Sequence, residues 1–93
     1  FMAAEVAKKF SPAIRVNAIA PGFFLTEQNR TLLTNEDGSF TTRGNDIIRH
    51  TPMGRLGNPV EICGTIHYLI SDAAQFVTGT VAVVDGGFNA YSI

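Results

Sequence analysis

Two short segments of this chain combine glycine with the end of an apolar, β-branched run. The first run ends at Pro21-Gly22 and the second at Asp85-Gly86-Gly87. Glycine lets the backbone approach a flat ring closely, and Phe23 and Phe24 would supply apolar walls beside it. If both runs are parallel strands, these motifs lie at neighbouring carboxyl ends, where open α/β sheets bind ligands. Taken alone, both motifs also fit plain strand termination and a turn.

A polar cluster follows the first motif. Gln28, Asn29 and Arg30 lie within residues 23–57, a connection that is long for a compact domain. Long connections of this kind often carry function. The planar fork of an arginine suits a carboxylate, so the cluster is a candidate for substrate binding. Its default interpretation is a solvated helix face.

Several other kinds of site are absent from the sequence. No glycine triple has the G-x-G-x-x-G spacing of a phosphate-binding turn. No tyrosine stands four residues before Lys8 or Lys9, so the chain contains no Tyr-x-x-x-Lys pair. His50 and His67 lack metal-ligand spacing with each other or with Cys63, and we predict no metal site.

The elements that would position these motifs follow from hydrophobic periodicity. Strands are predicted over residues 14–20 and 80–84. Parallel strands need a crossover, and a helix is predicted to start at Asn58-Pro59-Val60-Glu61. There Asn58 can cap, Pro59 takes the first helical position, and Glu61 can bond back to the cap. Three more helices are predicted, over residues 1–10, 26–33 and 45–50.

Composition limits the class of protein. The 93 residues are 45% hydrophobic and 16% charged, with a net charge of −1, which gives no footprint for nucleic acid or an acidic membrane. The apolar runs are too short to span a bilayer. Cys63 is the single cysteine, predicted to be a small buried hydrophobe, and it fits a reducing cytoplasm. Two strands are too few for a self-sufficient parallel sheet, so we expect the carboxyl-terminal part of a longer protein.

Four groups of residues together carry a family signature. They are Ile14-Arg15-Val16-Asn17 through Pro21-Gly22, Pro52-Met53-Gly54-Arg55 with Gly57-Asn58-Pro59-Val60-Glu61, Phe76-Val77-Thr78-Gly79, and Val84-Asp85-Gly86-Gly87. In this order the chain, over residues 1–93, closely resembles the carboxyl-terminal third of short-chain dehydrogenases/reductases. The resemblance implies an α/β fold: part of a Rossmann-type doubly wound parallel sheet, here two parallel strands with crossover helices, incomplete as a domain.

The resemblance also implies NAD or NADP as the cofactor. The family's Pro-Gly-x-x-x-Thr loop is matched by Pro21, Gly22, Phe24 and Thr26. In the family, the backbone near Phe24 faces the nicotinamide carboxamide, and Thr26 reaches the carboxamide or the pyrophosphate. The catalytic Tyr and Lys would lie upstream of residue 1. Residues 23–57 resemble the variable substrate-binding region, and the assembly implied is a homodimer or homotetramer.

A finer resemblance, to the D-mannonate oxidoreductase (fructuronate reductase) branch, lies mostly within that variable region. It is carried by Phe23-Phe24, Gln28-Asn29-Arg30, Leu32-Leu33, Asp37-Gly38-Ser39, His50-Thr51-Pro52-Met53-Gly54-Arg55 and Gly86-Gly87-Phe88. The chain departs from that branch at Ser92-Ile93, where a glycine is expected. The implied reaction is hydride transfer between nicotinamide and a sugar acid. Two alternatives stay open: a non-catalytic relative used for regulation or assembly, and a ketoreductase of another substrate class. The segment alone is predicted to be inactive.

Overall fold

A computed structural model of the protein describes residues 2–91 and has an α/β architecture. Five α-helices and two strands are found in that range, in the order α1 (Met2–Phe10), β1 (Ala18–Pro21), α2 (Arg30–Leu33), α3 (Thr42–Arg49), α4 (Cys63–Ile70), β2 (Val81–Val84) and α5 (Phe88–Tyr91). Short 3₁₀ segments precede and follow α4, at Pro59–Ile62 and Asp72–Ala74. The predictions that fell on Phe1, Ser92 and Ile93 lie outside the described residues.

The two strands pair in parallel, as predicted. Ala18 lies opposite Val81, and Pro21 lies opposite Val84, so both strands end at the same edge. The predicted start of the first strand is wrong, because β1 begins at Ala18 rather than at residue 14. The second strand starts at Val81, one residue later than predicted, and ends at Val84 as predicted.

Side-chain hydrogen bonds explain why residues 14–17 are not part of the ladder. The Asn17 amide donates to the Val77 carbonyl at 3.0 Å and accepts from the Thr80 N–H at 3.1 Å. The Arg15 guanidinium donates to the same Val77 carbonyl at 3.0 Å. These side chains occupy backbone groups that a longer strand would use for pairing. The two segments are therefore held together without regular sheet geometry.

The start of the crossover helix agrees with the predicted capping. Asn58 Oδ1 accepts from the Val60 N–H at 3.2 Å, and Glu61 Oε1 accepts from the Asn58 N–H at 2.8 Å. The first turn is a 3₁₀ helix, and the α-helix begins only at Cys63. The prediction that Cys63 is buried is wrong: the thiol is exposed in the described structure.

Residues 23–57 have a small hydrophobic core of their own. Leu33, Ile47 and Leu56 are buried together, with Leu25 and Ile48 packed against them. The helices of this segment differ from prediction. The predicted helix 26–33 is α-helical only over α2, because residues 27–29 form a turn. The second helix starts earlier than predicted, at α3, where the Thr41 hydroxyl accepts from the Gly44 N–H at 3.1 Å.

The described part of the chain does not form a compact globule. Its radius of gyration is 16.2 Å, against about 12 Å expected for a compact domain of this length. Large apolar side chains stay exposed, among them Phe76 at 102%, Ile70 at 74% and Val83 at 53%. Such surfaces are normally covered in a parallel sheet, which agrees with an incomplete domain. None of the helices described has the length and hydropathy needed to cross a bilayer.

Candidate functional site

The site is built at the edge where both strands end. The Gly22 N–H donates to the Val84 carbonyl at 2.9 Å and extends the ladder by one bond. A Cβ atom on Gly22 would lie 2.6 Å from the Asp85 Cβ and 2.7 Å from its Cα. Any side chain at this position would therefore collide with the neighbouring strand end. The close packing of the two strand ends therefore requires glycine at position 22, whether or not a ligand binds.

Asp85 turns the chain from β2 into α5. Its carboxylate accepts from the N–H of Gly87 at 2.9 Å and from the N–H of Asn89 at 2.8 Å. Gly86 and Gly87 have positive φ angles of 62° and 91°, which only glycine adopts readily. This turn brings the Phe88 ring to 5.2 Å from the Phe23 ring in an edge-to-face contact. The motif was predicted as a turn, and the structure has that turn.

The Phe24 ring lies against Gly57. Phe24 and Gly57 form an isolated parallel bridge. The Leu25 N–H donates to the Gly57 carbonyl at 3.0 Å, and the Gly57 N–H donates to the Phe23 carbonyl at 2.9 Å. A Cβ atom on Gly57 would lie 2.4 Å from the Phe24 ring. The loop is thus fastened to the segment that precedes the crossover helix.

Asn29 also stabilises this loop, through hydrogen bonds to Phe24 and Thr26. Its Nδ2 donates to the Phe24 carbonyl at 2.6 Å, and its Oδ1 accepts from the Thr26 N–H at 2.8 Å. The Thr26 hydroxyl accepts from the Asn29 N–H at 3.3 Å. Sequence reasoning placed Asn29 among the substrate residues and missed this role. The spacing Thr-x-x-Asn was the available signal.

The loop residues line one open pocket of about 430 Å³. All four residues of the predicted cofactor set, Pro21, Gly22, Phe24 and Thr26, contribute to its wall together with Asn29. Within residues 2–91, the Phe24 N–H and the proton of the Thr26 hydroxyl have no acceptor. Two residues that line the pocket therefore each have a donor without a partner in the described range, and one of them, Phe24, also contributes an aromatic ring.

The three predicted substrate residues do not lie together. Arg30 lines a second, open pocket of about 790 Å³, which Thr26 and Arg55 also line. Its guanidinium is half exposed and lies 3.6 Å from the exposed Glu27 carboxylate. Gln28 is exposed in the turn before α2 and lines neither pocket. Of the three residues, Arg30 is the one that lines this second pocket.

An ion pair that lines a smaller cavity of about 180 Å³ was not found from the sequence. Arg55 and Glu61 form two parallel hydrogen bonds, each of 2.8 Å. The guanidinium, together with the Asn58 N–H, lowers the pKa of the Glu61 carboxyl to about 2, and the carboxylate in turn raises the pKa of Arg55. Bidentate pairing fixes orientation as well as charge. It ties the segment before residue 57 to the capped start of the crossover helix.

No group of three or more His, Cys, Asp or Glu side chains in residues 2–91 is placed to hold a metal ion. What the geometry provides is an aromatic pocket with free donors, at the carboxyl edge of a parallel sheet. This is the class of crevice in which open α/β proteins bind their ligands.

Comparison with known proteins identifies the family. A family model described as enoyl-(acyl carrier protein) reductase matches residues 1–89. The uncharacterized oxidoreductase UxuB of Bacillus subtilis is 56% identical over 80 residues, which is 85% of this chain and 29% of that protein. The chain belongs to the short-chain dehydrogenase/reductase family. It spans less than a third of the length of the curated relatives it matches.

Solved structures agree with this fold. A candidate D-mannonate oxidoreductase from Haemophilus influenza, with bound NAD, superposes with a TM-score of 0.86 at 46% identity. The match covers 97% of this chain and 33% of that one. A gluconate 5-dehydrogenase from Burkholderia cenocepacia, in complex with NADP and tartrate, has a TM-score of 0.82 at 32% identity, over 96% and 33% of the two chains. The expected Rossmann-type α/β fold is thereby confirmed.

Proposed function

We propose that this chain is the cofactor-contacting and substrate-contacting part of an NAD- or NADP-dependent oxidoreductase that acts on a sugar acid. The observation that carries the proposal is the strand-end pocket, in which Pro21, Gly22, Phe24 and Thr26 lie together. Relatives of the same family contain NAD or NADP. Because the family model matches residues 1–89 of this chain, NAD and NADP are the cofactors to test.

The chemistry of the pocket fits the nicotinamide end of such a cofactor. A carboxamide has a carbonyl oxygen that accepts hydrogen bonds, and a pyrophosphate has several such oxygens. The unpaired Phe24 N–H and Thr26 hydroxyl are donors of matching polarity within the described residues. When bound, the cofactor supplies or accepts a hydride at the nicotinamide ring. The residues of this chain would orient the ring and exclude water around it.

The second pocket is the proposed place for the substrate. Arg30 lines it beside Thr26, so a carboxylate there would lie near the cofactor end that Thr26 contacts. Arginine can bind a carboxylate through two parallel hydrogen bonds. Gln28 lies two residues before Arg30 and does not line this pocket, so the proposal assigns the carboxylate to Arg30. Similarity to the gluconate 5-dehydrogenase from Burkholderia cenocepacia favours a sugar acid as the substrate class.

Residues 23–57 are proposed to act as a lid over these pockets. The segment has its own core of Leu33, Ile47 and Leu56, so we expect it to move as one packed unit rather than as a flexible loop. Closing over the substrate would exclude water from the reacting groups. Hydrogen exchange of the full-length protein with and without cofactor tests this, and equal protection in both states would contradict it.

The same proposal includes an assembly of identical subunits. Val81 and Val83 on β2 and Ile70 on α4 are exposed apolar side chains. In a homodimer or homotetramer, counterparts of these elements would cover them across a two-fold axis. Light scattering of the full-length protein measures its mass directly. A monomer at micromolar concentration would contradict the assembly without touching the cofactor site.

Thr26→Ala in the full-length protein tests the central proposal. Loss of one hydrogen bond should weaken NADH or NADPH binding by about 2- to 13-fold, measured by fluorescence titration. Thr26→Ser keeps the hydroxyl and should restore affinity. Thr42→Ala removes an exposed threonine that lies outside the pocket and should change nothing. If Thr26→Ala bound both cofactors as tightly as the parent, the proposed site would be wrong.

A further inference from the structure

We infer that Asn29 is a positioning residue for cofactor binding, which shapes the loop of residues 24–26 and turns the Thr26 hydroxyl proton toward the pocket. The inference rests on the proposed function, because it concerns the loop that is proposed to hold the nicotinamide end. It differs from a substrate role, since the side chain acts on its own loop.

The side chain of Asn29 forms two hydrogen bonds within the loop. Both ends of its amide are used within the loop: Nδ2 donates to the Phe24 carbonyl at 2.6 Å, and Oδ1 accepts from the Thr26 N–H at 2.8 Å. An asparagine at the start of a helix usually caps that helix. Asn29 stands at this position before α2 and makes no capping bond there. Its side chain holds the preceding loop instead.

The requirement for asparagine follows from these two bonds. One short side chain must offer an acceptor to Thr26 and a donor to Phe24 at once. Aspartate keeps the acceptor and loses the donor, alanine loses both, and glutamine has the same groups on a longer stem. We therefore expect none of the three to replace Asn29 fully.

The backbone of Asn29 sets the direction of the Thr26 hydroxyl. A hydroxyl has one proton to donate and two lone pairs that accept. The Asn29 N–H occupies a lone pair of Thr26 Oγ1 at 3.3 Å. Among residues 2–91 no acceptor takes the hydroxyl proton. Thr26 is thus prepared to donate to a ligand, and its donor depends on the turn that the Asn29 side chain maintains.

A double-mutant cycle in the full-length protein tests the coupling between the two residues. The variants are Asn29→Ala, Thr26→Ala and the double variant, and the readout is the dissociation constant of NADH and of NADPH. Each single change should weaken binding by about 2- to 13-fold. The double variant should bind less weakly than the product of the two single effects requires, because part of the effect of Asn29 passes through Thr26. The kcat at saturating cofactor should change less than twofold.

Matched variants separate positioning from general destabilisation. Asn45→Ala removes an exposed asparagine whose amide contacts only the Phe40 carbonyl, at 3.4 Å, and it should bind cofactor like the parent. Asn29→Gln should not restore affinity. Should Asn29→Ala fail to fold, Asn29→Asp retains the acceptor for the Thr26 N–H, and the same cycle can be run with it.

The outcomes distinguish this inference from the proposed function. If Thr26→Ala weakens binding and Asn29→Ala behaves like Asn45→Ala, the inference is overturned and the cofactor site stands. If the two single effects multiply in the double variant, Asn29 acts separately from Thr26, and the inference is again overturned. If Thr26→Ala leaves both affinities unchanged, the proposed cofactor site is overturned and the inference with it.

Discussion

The ring of Phe24 lies directly on the backbone of Gly57, so that a single added carbon on Gly57 would come within 2.4 Å of it. Backbone hydrogen bonds on both sides of this contact join residues 23–25 to Gly57. The loop that lines the proposed cofactor pocket is therefore fixed in place by a residue that lies more than thirty positions further along the chain. The contact couples the strand end to the entry of the crossover helix.

The first prediction concerns Gly57→Ala in the full-length protein. The new methyl group must displace the Phe24 ring, and overpacking of this kind costs about 1–3 kcal/mol. We expect a lower urea midpoint and weaker cofactor binding, because the displaced ring forms part of the pocket. Gly64→Ala is the matched control, since a Cβ there meets nothing within 4 Å and alanine favours the helix. Equal stability of the two variants would show that the ring is not held against Gly57.

The second prediction concerns Gly22→Ala. Here the neighbour is the backbone of Asp85, at 2.7 Å from the added carbon, and it cannot swing away as a ring can. We expect a loss at the upper end of about 1–3 kcal/mol, together with disturbed pairing at the strand ends. Gly64→Ala again serves as the control. A Gly22→Ala variant as stable as the parent would contradict the described closeness of the two strand ends.

Local patterns explain which parts of the fold could be predicted. The capping at Asn58 and Glu61 depends on neighbours three residues apart, and the structure has those bonds. The start of β1 could not be found, because Asn17 bonds to Thr80, which lies 63 residues away. Burial of Cys63 was predicted from the usual burial of a free cysteine, which does not indicate whether a covering element is present.

The residues that line the candidate site could be predicted from the sequence, whereas the side-chain bonds that hold its loop could not. Strand-end motifs and the family resemblance indicated Pro21, Gly22, Phe24 and Thr26, and the structure brings these residues to one pocket. The pair joins Arg55, in an irregular segment, to Glu61 in the first turn of the next helix, and no periodicity relates two such positions. Asn29 was predicted only as a substrate residue because of its polarity, and its hydrogen bonds to Thr26 and Phe24 were not predicted.

The third prediction concerns the titration of Glu61. Its folded pKa is about 2, below the ordinary value of 4.5, because Arg55 and the Asn58 N–H stabilise the carboxylate. A depressed pKa means that the stabilising contribution is fully present above pH about 4.5 and is lost as the pH falls through about 2. Carbon-13 NMR of the Glu61 carboxyl measures the value directly. Arg55→Lys should raise it, because a lysine cannot form the bidentate pair.

Arg43 provides a matched control for the titration of Glu61. Arg43→Lys changes an exposed arginine outside the pair and should leave the Glu61 titration unaltered. A Glu61 pKa near 4.5 in the parent protein would mean that the ion pair is not maintained in solution.

The fourth prediction concerns Arg30→Lys in the full-length protein. Lysine keeps the positive charge and loses the planar fork, so a substrate carboxylate would lose one of two parallel hydrogen bonds. The KM for D-mannonate or a related sugar acid should rise by about 2- to 13-fold, with the affinity for cofactor unchanged. Arg43→Lys is again the control. An unaltered KM would leave Arg30 with its partner Glu27 as an exposed surface pair.

The last prediction is that residues 1–93, expressed alone, bind no cofactor at micromolar affinity and catalyse nothing. The sequence contains no G-x-G-x-x-G turn and no tyrosine four residues before a lysine. The two described strands also leave apolar side chains such as Phe76 and Val83 in water. Such a piece should self-associate or fold poorly, because unpaired strand edges and exposed apolar faces promote association. Circular dichroism, light scattering and titration with NADH and NADPH, beside the full-length protein, measure each property. Turnover of a sugar acid by the segment alone would show that the chemistry lies within these residues after all.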